Sequence, residues 1–424
     1  MPSHEQQTQA DRLARLALNH AVEPADQHLG RLLEAHGPRR VLAAIRAGQL
    51  PDLDADPARR DRLADRCAGL RLRLEPGRVE AGLAAAEAVG ARFVTPLDRD
   101  WPARLDDLGP QRPIGLWVAG NWCAETTARG DDAAHPQPLS IVGARACSGY
   151  GSHVAGLLGA DLASAGACVV SGAAIGIDAA AHRGALAVGG STIAVLACGI
   201  DRVYPRVHES LLRAIAQRGA VLSELPPGAA PTRFRFLHRN RLIAALGVGT
   251  VVVEAARRSG SLLTARLAGE LGRAVMAVPG PVTSEQSVGA HELIRDGAIL
   301  VATAAQVQEA CANLADAPPT PARPSRARAA DTSDEPPAVG RARTRARPGR
   351  AASAEPADPV EELVLEALFG AQTGTAKTSA GADVVALARA TGLGPDAVFA
   401  ALGRLAACGR VAKSGGGWVS VRGH

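Results

Sequence analysis

Residues 91–314 read as a Rossmann-like α/β domain with a doubly wound, mostly parallel sheet, and two observations carry that reading. Short apolar runs alternate with amphipathic stretches: Leu139–Val142, Ala167–Val170, Thr192–Leu196, Ala220–Leu222, Thr250–Val253, Ala274–Val278 and Ile299–Val301. Each run ends in Gly, Ser, Pro or Glu, and a helical pattern follows most of them. Buried apolar strands with helices between them form a parallel sheet covered on both faces, here of about seven strands. Residues 95–120, with Trp101, Pro102 and Leu116-Trp117-Val118-Ala119-Gly120, lead into it.

The flanking segments have other textures. In 1–90, Leu13, Leu16 and Ala17, then Leu29, Leu32 and Leu33, then Val41, Leu42 and Ile45 recur at helical spacing, with Gly37-Pro38 and Gly48 to Pro51 as punctuation. This predicts a small helical module of the SAM or helix-hairpin-helix kind. Residues 315–357 are Ala, Pro, Arg and Ser without apolar periodicity, the signature of a linker. Its second half is basic through Arg341, Arg343, Arg345, Arg347 and Arg350. In 358–424, Val360 to Phe369 reads as a helix. Val384 to Ala390, Thr391 to Gly394 and Pro395 to Ala407 then read as helix, turn, helix. Val411 to Val421, tipped by Gly415-Gly416-Gly417, completes the order of a winged helix. Its second helix offers Asp396 and Arg404 and is otherwise mostly apolar. That favours protein contact or a structural cap over base reading.

Composition narrows the classes. The 424 residues carry a net charge of +5, which permits nucleic acid as a partner without requiring it. Lys377 and Lys413 are the only lysines. The seven cysteines are scattered, with no CxxC pair and no Cys/His cluster, so no metal site or disulfide framework is expected. The polar N-terminus and the lack of a run of roughly 20 apolar residues predict a cytoplasmic protein that does not contact the membrane.

Ligands of an open parallel sheet bind beyond the carboxyl ends of its strands, and the suggestive residues fall there. Gly143-Ala144-Arg145 with Ser148-Gly149-Tyr150-Gly151 follows the first strand, and Ser171-Gly172-Ala173-Ala174 leads to Asp178 after the second. Ser259-Gly260-Ser261 follows the fifth strand and Glu254, and Val278-Pro279-Gly280 ends the sixth. Glycines admit an anion close to the backbone and helix starts offer N–H groups. Asp178 reads as a helix N-terminal charge, and His182 as a structural hydrogen-bonding residue.

The stretch Arg233-Phe234-Arg235-Phe236-Leu237-His238-Arg239-Asn240-Arg241 holds two of the five Phe, interleaved with Arg. Read as extended, Arg233 to Phe236 places both Arg on one face and both Phe on the other. Arg neutralises phosphate and a Phe ring stacks a base, a pairing suited to single strands. No dinucleotide fingerprint, Walker A sequence or nucleophile elbow stands at a strand end.

These residues, in order, resemble the DNA-processing protein A family (DprA/Smf). The similar motifs are Val142 to Arg145 with Ser148 to Gly151; Ser171 to Asp178 with Ala181-His182; and Thr192 to Gly199 with Tyr204-Pro205. They continue through Ser223-Glu224, Phe236 with Arg239-Asn240-Arg241, Val253 to Ala255, Ser259 to Ser261 with Thr264, and Val278 to Gly280. Leu293-Ile294 with Gly297-Ala298 is the last. The resemblance implies a Rossmann-like core that binds and protects single-stranded DNA, forms a homodimer, and loads RecA recombinase in natural transformation, without catalysis or cofactor. It implies that the turn Gly143, Ala144, Arg145 and the helix start Ser259, Gly260, Ser261 hold phosphates. Gly172 and Arg233 join the DNA-contacting set, Arg239, Asn240 and Arg241 line the same pocket, and Phe236 stacks a base. Ala144 stands where the family usually has Ser or Thr, Leu237 where it has Pro, and His291 where Asn is common. The alternative is a nucleotide phosphoribohydrolase on a related fold, to which Gly249-Thr250 followed by Glu254 is loosely similar.

Overall fold

The structure is a computed structural model. It describes residues 4–48, 66–122 and 137–315, together with 364–365, 367–368, 382–391, 393–407, 410–414 and 417–420. Of the linker expected at 315–357, residue 315 ends a helix, while 316–357 with its arginines and most of the helix expected at Val360 to Phe369 lie outside the described residues.

The first helices are α1 (His4–Ala21), α2 (Gln27–Ala47), α3 (66–73) and α4 (Arg78–Glu87). α2 is broken at Gly37, whose φ of 73° interrupts it just before Pro38, where the sequence is punctuated. Leu18, Leu29, Leu32 and Ile45 are fully buried at the centre of this module. Their spacing puts them on one stripe per helix, and burying each contributes roughly 1.5–3 kcal/mol.

The sheet runs β1 (Ala91–Val94), β2 (Leu116–Gly120), β3 (Pro138–Val142), β4 (Cys168–Ser171), β5 (Thr192–Leu196), β6 (Ala220–Ser223), β7 (Gly249–Val252), β8 (Ala274–Ala277) and β9 (Ile299–Leu300) in chain order. Its spatial order is β1-β2-β6-β5-β4-β3-β7-β8-β9. The seven expected strands are all present and parallel. The count was short by β1 and β2, which pair antiparallel and extend the edge beyond β6. β2 falls within the lead-in expected at 95–120 and β1 just before it, and neither sits in a strand–helix–strand repeat.

The crossover helices are α5 (Gly149–Ser164), α6 (Ile177–Ala187), α7 (Glu209–Arg218), α8 (Arg233–Leu246), α9 (Gly260–Glu270) and α10 (Val288–Arg295), and α11 (Ala304–Ala315) follows β9. Adjacent strand residues divide between the layers. Ile141, Val169 and Val251 pack with α5, α6 and α11, while Val142, Val170 and Val252 pack with α8 and α9. That two-residue period, with both faces apolar, is why the strands read as continuous hydrophobic runs.

The helical module abuts the antiparallel edge. The indole N–H of fully buried Trp117 donates to Asn19 Oδ1 at 2.9 Å, and Asn19 Nδ2 donates to the Glu224 carbonyl at 2.7 Å. Towards the C-terminus, helices Val384–Thr391 and Pro395–Ala407 precede a hairpin of β10 (Val411–Ser414) and β11 (Gly417–Ser420). These elements pack around buried Leu387, Val398, Leu402 and Leu405.

One local expectation fails. Arg233 to Phe236 is not extended; it is the first turn of α8. Thr232 caps this helix, its Oγ1 accepting from the Arg235 N–H at 3.3 Å, and no Gly or Pro interrupts the next 14 residues. The four-residue alternation was too short to set a period, and the cap decides for helix.

Candidate nucleic-acid interface

The strand order reverses at β3. From it the chain proceeds to β4, β5 and β6 on one side, then crosses to β7, β8 and β9 on the other. Such a switch point leaves a crevice above the carboxyl ends of β3 and β7, because their crossover helices lie on opposite layers. A cleft of about 920 Å³ opens there.

One wall is α8. Arg233, Phe236, Leu237, Asn240 and Ile243 line the cleft, a spacing of three, four, seven and ten residues that marks a single helical face. Asn240 Nδ2 donates to the Gly260 carbonyl at 3.2 Å, tying this wall to the start of α9. Ser259 caps α9, its Oγ 2.7 Å from the Ser261 Oγ, and Ser259, Gly260, Ser261 and Thr264 all face the cleft. A Cβ at Gly260 would meet open space, so the helix N-terminus is approachable.

The opposite wall is the turn Gly143-Ala144-Arg145. Arg145 is exposed, and its guanidinium lies 4.8 Å from the centroid of the Phe236 ring. The Tyr204 ring, from a residue 42% exposed, also packs on Phe236, with ring centroids 5.4 Å apart at 54°. Phe234 points elsewhere and pairs with His238 at 6.1 Å.

At the floor, buried Arg239 donates from Nη1 to the Gly172 carbonyl at 2.8 Å and also to the Val195 carbonyl. Burial pulls its guanidinium down to about 10, and nearby Asp178 works against that pull. Burial raises Asp178 in turn, opposed by Arg239 and by the Gly172 and Ala174 N–H groups that donate to it. Asp178 is the one acid among the residues lining the cleft, beside Arg145, Arg233 and Arg239. The surface is therefore cationic, with an aromatic ring and a helix start. Such a surface can bind phosphate and stack a base.

Ten of the twelve anticipated residues line this cleft, and two do not. Arg241 forms a bidentate pair with Glu224, both bonds at 2.7 Å, with side-chain exposures of 3% and 10%. It also donates to the Gln111 carbonyl, away from the cleft. Its assignment to the pocket is corrected on this ground: two residues of helix carry it about 200° round from Arg239. Gly172 lies beneath the wall, where a Cβ would fall 2.1 Å from Arg239 Nη1.

Glu254 has a role the sequence did not disclose. The Ser148 N–H and hydroxyl donate to its two carboxylate oxygens at 2.8 and 2.6 Å, and the Ala144 N–H donates to its carbonyl at 2.7 Å. A carboxylate of this protein thus fills the start of α5, the place an outside anion would take. A Cβ on Gly151 would meet it at 2.2 Å. The signal available was an acid ending the buried run Thr250–Val253. Tyr204 was likewise legible only as a motif residue; its place in the cleft depends on the chain folding back after β5. His182 Nδ1 lies 2.7 Å from the Thr192 hydroxyl, a structural bond. Among the described residues no His/Cys/Asp/Glu cluster could hold a metal, and no helix is long and apolar enough to cross a membrane.

The profile of the DNA recombination-mediator protein A family matches residues 92–312. A Mycobacterium tuberculosis protein carried under the name DNA processing protein DprA is 43% identical over 302 residues, covering 69% of this chain and 73% of the relative. DNA processing protein DprA of Streptococcus pneumoniae is 44% identical over 211 residues, 50% of this chain and 71% of the relative. The X-ray structure of the Streptococcus pneumoniae protein superposes with a TM-score of 0.55 at 30% identity, covering 71% of this chain and 97% of that one.

Proposed function

The chain belongs to the DNA recombination-mediator protein A family, and from that premise we propose that its switch-point cleft binds single-stranded DNA. On this reading the protein, as a homodimer, shields incoming strands and hands them to RecA recombinase during natural transformation, without turnover. The observation that carries the reading is Phe236, a ring 4.8 Å from the Arg145 guanidinium in a cationic cleft that the start of α9 also lines. An unpaired base can stack there while its phosphates meet Arg145, Arg233 and the Ser259–Ser261 turn; a paired base presents no free face. Nothing in the geometry favours the phosphoribohydrolase alternative, because the Glu254 carboxylate is 1% exposed and engaged at both oxygens by Ser148.

The test is the affinity of labelled oligonucleotides, single-stranded and duplex, across a salt series without ATP or metal. Preference for the single strand, steep salt dependence, and weakening by both Arg145→Ala and Phe236→Ala are expected. Unchanged affinity in both variants overturns the assignment of the cleft.

A further inference from the structure

The first turn of α8 faces two ways. Arg233 and Phe236 line the cleft, while Arg235, between them, points to the helical module. Arg235 Nε and Nη2 donate to the two carboxylate oxygens of Glu23 at 3.0 and 2.7 Å, and its Nη1 donates to the Ala230 carbonyl at 2.7 Å. Glu23 sits in the turn between α1 and α2, and its carboxylate also accepts from Arg73 Nη2 of α3 at 2.6 Å. Arg73 is nearly buried and is fixed in turn by donating to the Ala21 carbonyl at 3.1 Å. Burial opposes ionisation of Glu23, but the two guanidiniums prevail and hold it at about 2. It therefore stays charged throughout the physiological range.

We propose that Glu23 is a positioning residue for the DNA cleft, through which the helical module holds the first turn of α8, and with it the Phe236 ring, in place for stacking. The inference rests on the cleft being the DNA site. The geometry is specific: one carboxylate joins a guanidinium from α3 to one from α8, and the latter also clasps Ala230 in the loop that forms the cleft rim. A bidentate guanidinium fork fixes orientation as well as distance. Losing it frees the turn carrying Phe236 while the buried end of α8, at Leu242, Ile243 and Leu246, stays packed.

The experiment is a double-mutant cycle on the full chain, read by anisotropy of a single-stranded oligonucleotide and by quenching of a 2-aminopurine base within it. Glu23→Gln is expected to weaken binding on the order of five-fold or more and to reduce quenching. In the Phe236→Ala background it is expected to add little. Arg235→Gln, which opens the same clasp from the other side, should behave alike. Asp98→Asn serves as control, since the Arg12–Asp98 pair joins the same two units through α1 and the turn after β1 without involving α8. Equal affinity of Glu23→Gln and wild type, an undiminished effect in the Phe236→Ala background, or an equal effect of Asp98→Asn overturns the proposal. If wild type binds no single strand, the cleft assignment itself has failed. If wild type binds and responds to Phe236→Ala but not to Glu23→Gln, the positioning role alone has failed.

Discussion

The guanidinium of Arg145, on the turn after β3, lies 4.8 Å from the ring centroid of Phe236, on the first turn of α8. The two are 91 residues apart in sequence and meet only because the sheet reverses its order at β3. One side chain offers charge and the other a flat face, so their removal should have different signatures.

Phe236→Ala should cost about 1–3 kcal/mol of single-strand affinity with the salt dependence unchanged, since one stacked base is lost. Arg145→Ala should weaken binding and lower the salt slope by about one, since one phosphate contact is lost. Anisotropy titrations at several salt concentrations separate the two. Tyr204→Ala, which removes the ring leaning on Phe236, should fall between wild type and Phe236→Ala.

Arg241→Ala should act on stability and leave the salt slope intact. It strands the Glu224 carboxylate, which is nearly buried, and breaking such a pair typically costs about 3–5 kcal/mol. Thermal melting should show a large drop. Folded protein at low temperature should titrate with a wild-type slope. A lowered slope without destabilisation would return Arg241 to the DNA surface.

Glu254→Gln should lower the melting temperature, because a charged acceptor at the start of α5 is replaced by a neutral one. Hydrogen bonds to a charged group contribute about 1.5–3 kcal/mol. Wild-type protein incubated with nucleoside monophosphates should release no base. Release that disappears in Glu254→Gln would make the protein an enzyme.

His182 predicts acid sensitivity. Burial first, then the charges of His208, Arg239 and Arg183, push its imidazole down to about 3, against 6.5 for the free group. The folded state therefore holds it neutral where the unfolded chain takes up a proton. Its contribution to stability is complete above pH 6.5 and falls as the pH drops from there towards about 3, by up to about 1.4 kcal/mol per pH unit. Denaturant melts of His182→Gln between pH 4 and pH 7 should show a shallower fall than wild type. Parallel curves would rule the group out as a source of the sensitivity.

The buried strands and the glycine- and serine-bearing turns at their ends were legible in the sequence, because apolar runs and small residues at a helix start are local signals. Ser259, Gly260 and Ser261 could be placed at a phosphate-competent helix start on that basis alone. The shape of Arg233 to Phe236 could not, since four alternating residues satisfy strand and helix alike. Longer context resolves it through the Thr232 cap and the uninterrupted run to Leu246.

The division of labour among the arginines belongs to the tertiary structure. Arg239 and Arg241 are two residues apart on one helix, yet one floors the cleft and the other is spent on Glu224. Arg233 and Arg235 divide in the same way, between the cleft and Glu23. Sequence establishes which residues carry charge and which turns are open. Which charges remain for a ligand depends on where the carboxylates of Glu23, Glu224 and Glu254 come to lie. Those positions follow from strand order and from the docking of the helical module, and no local pattern encodes them.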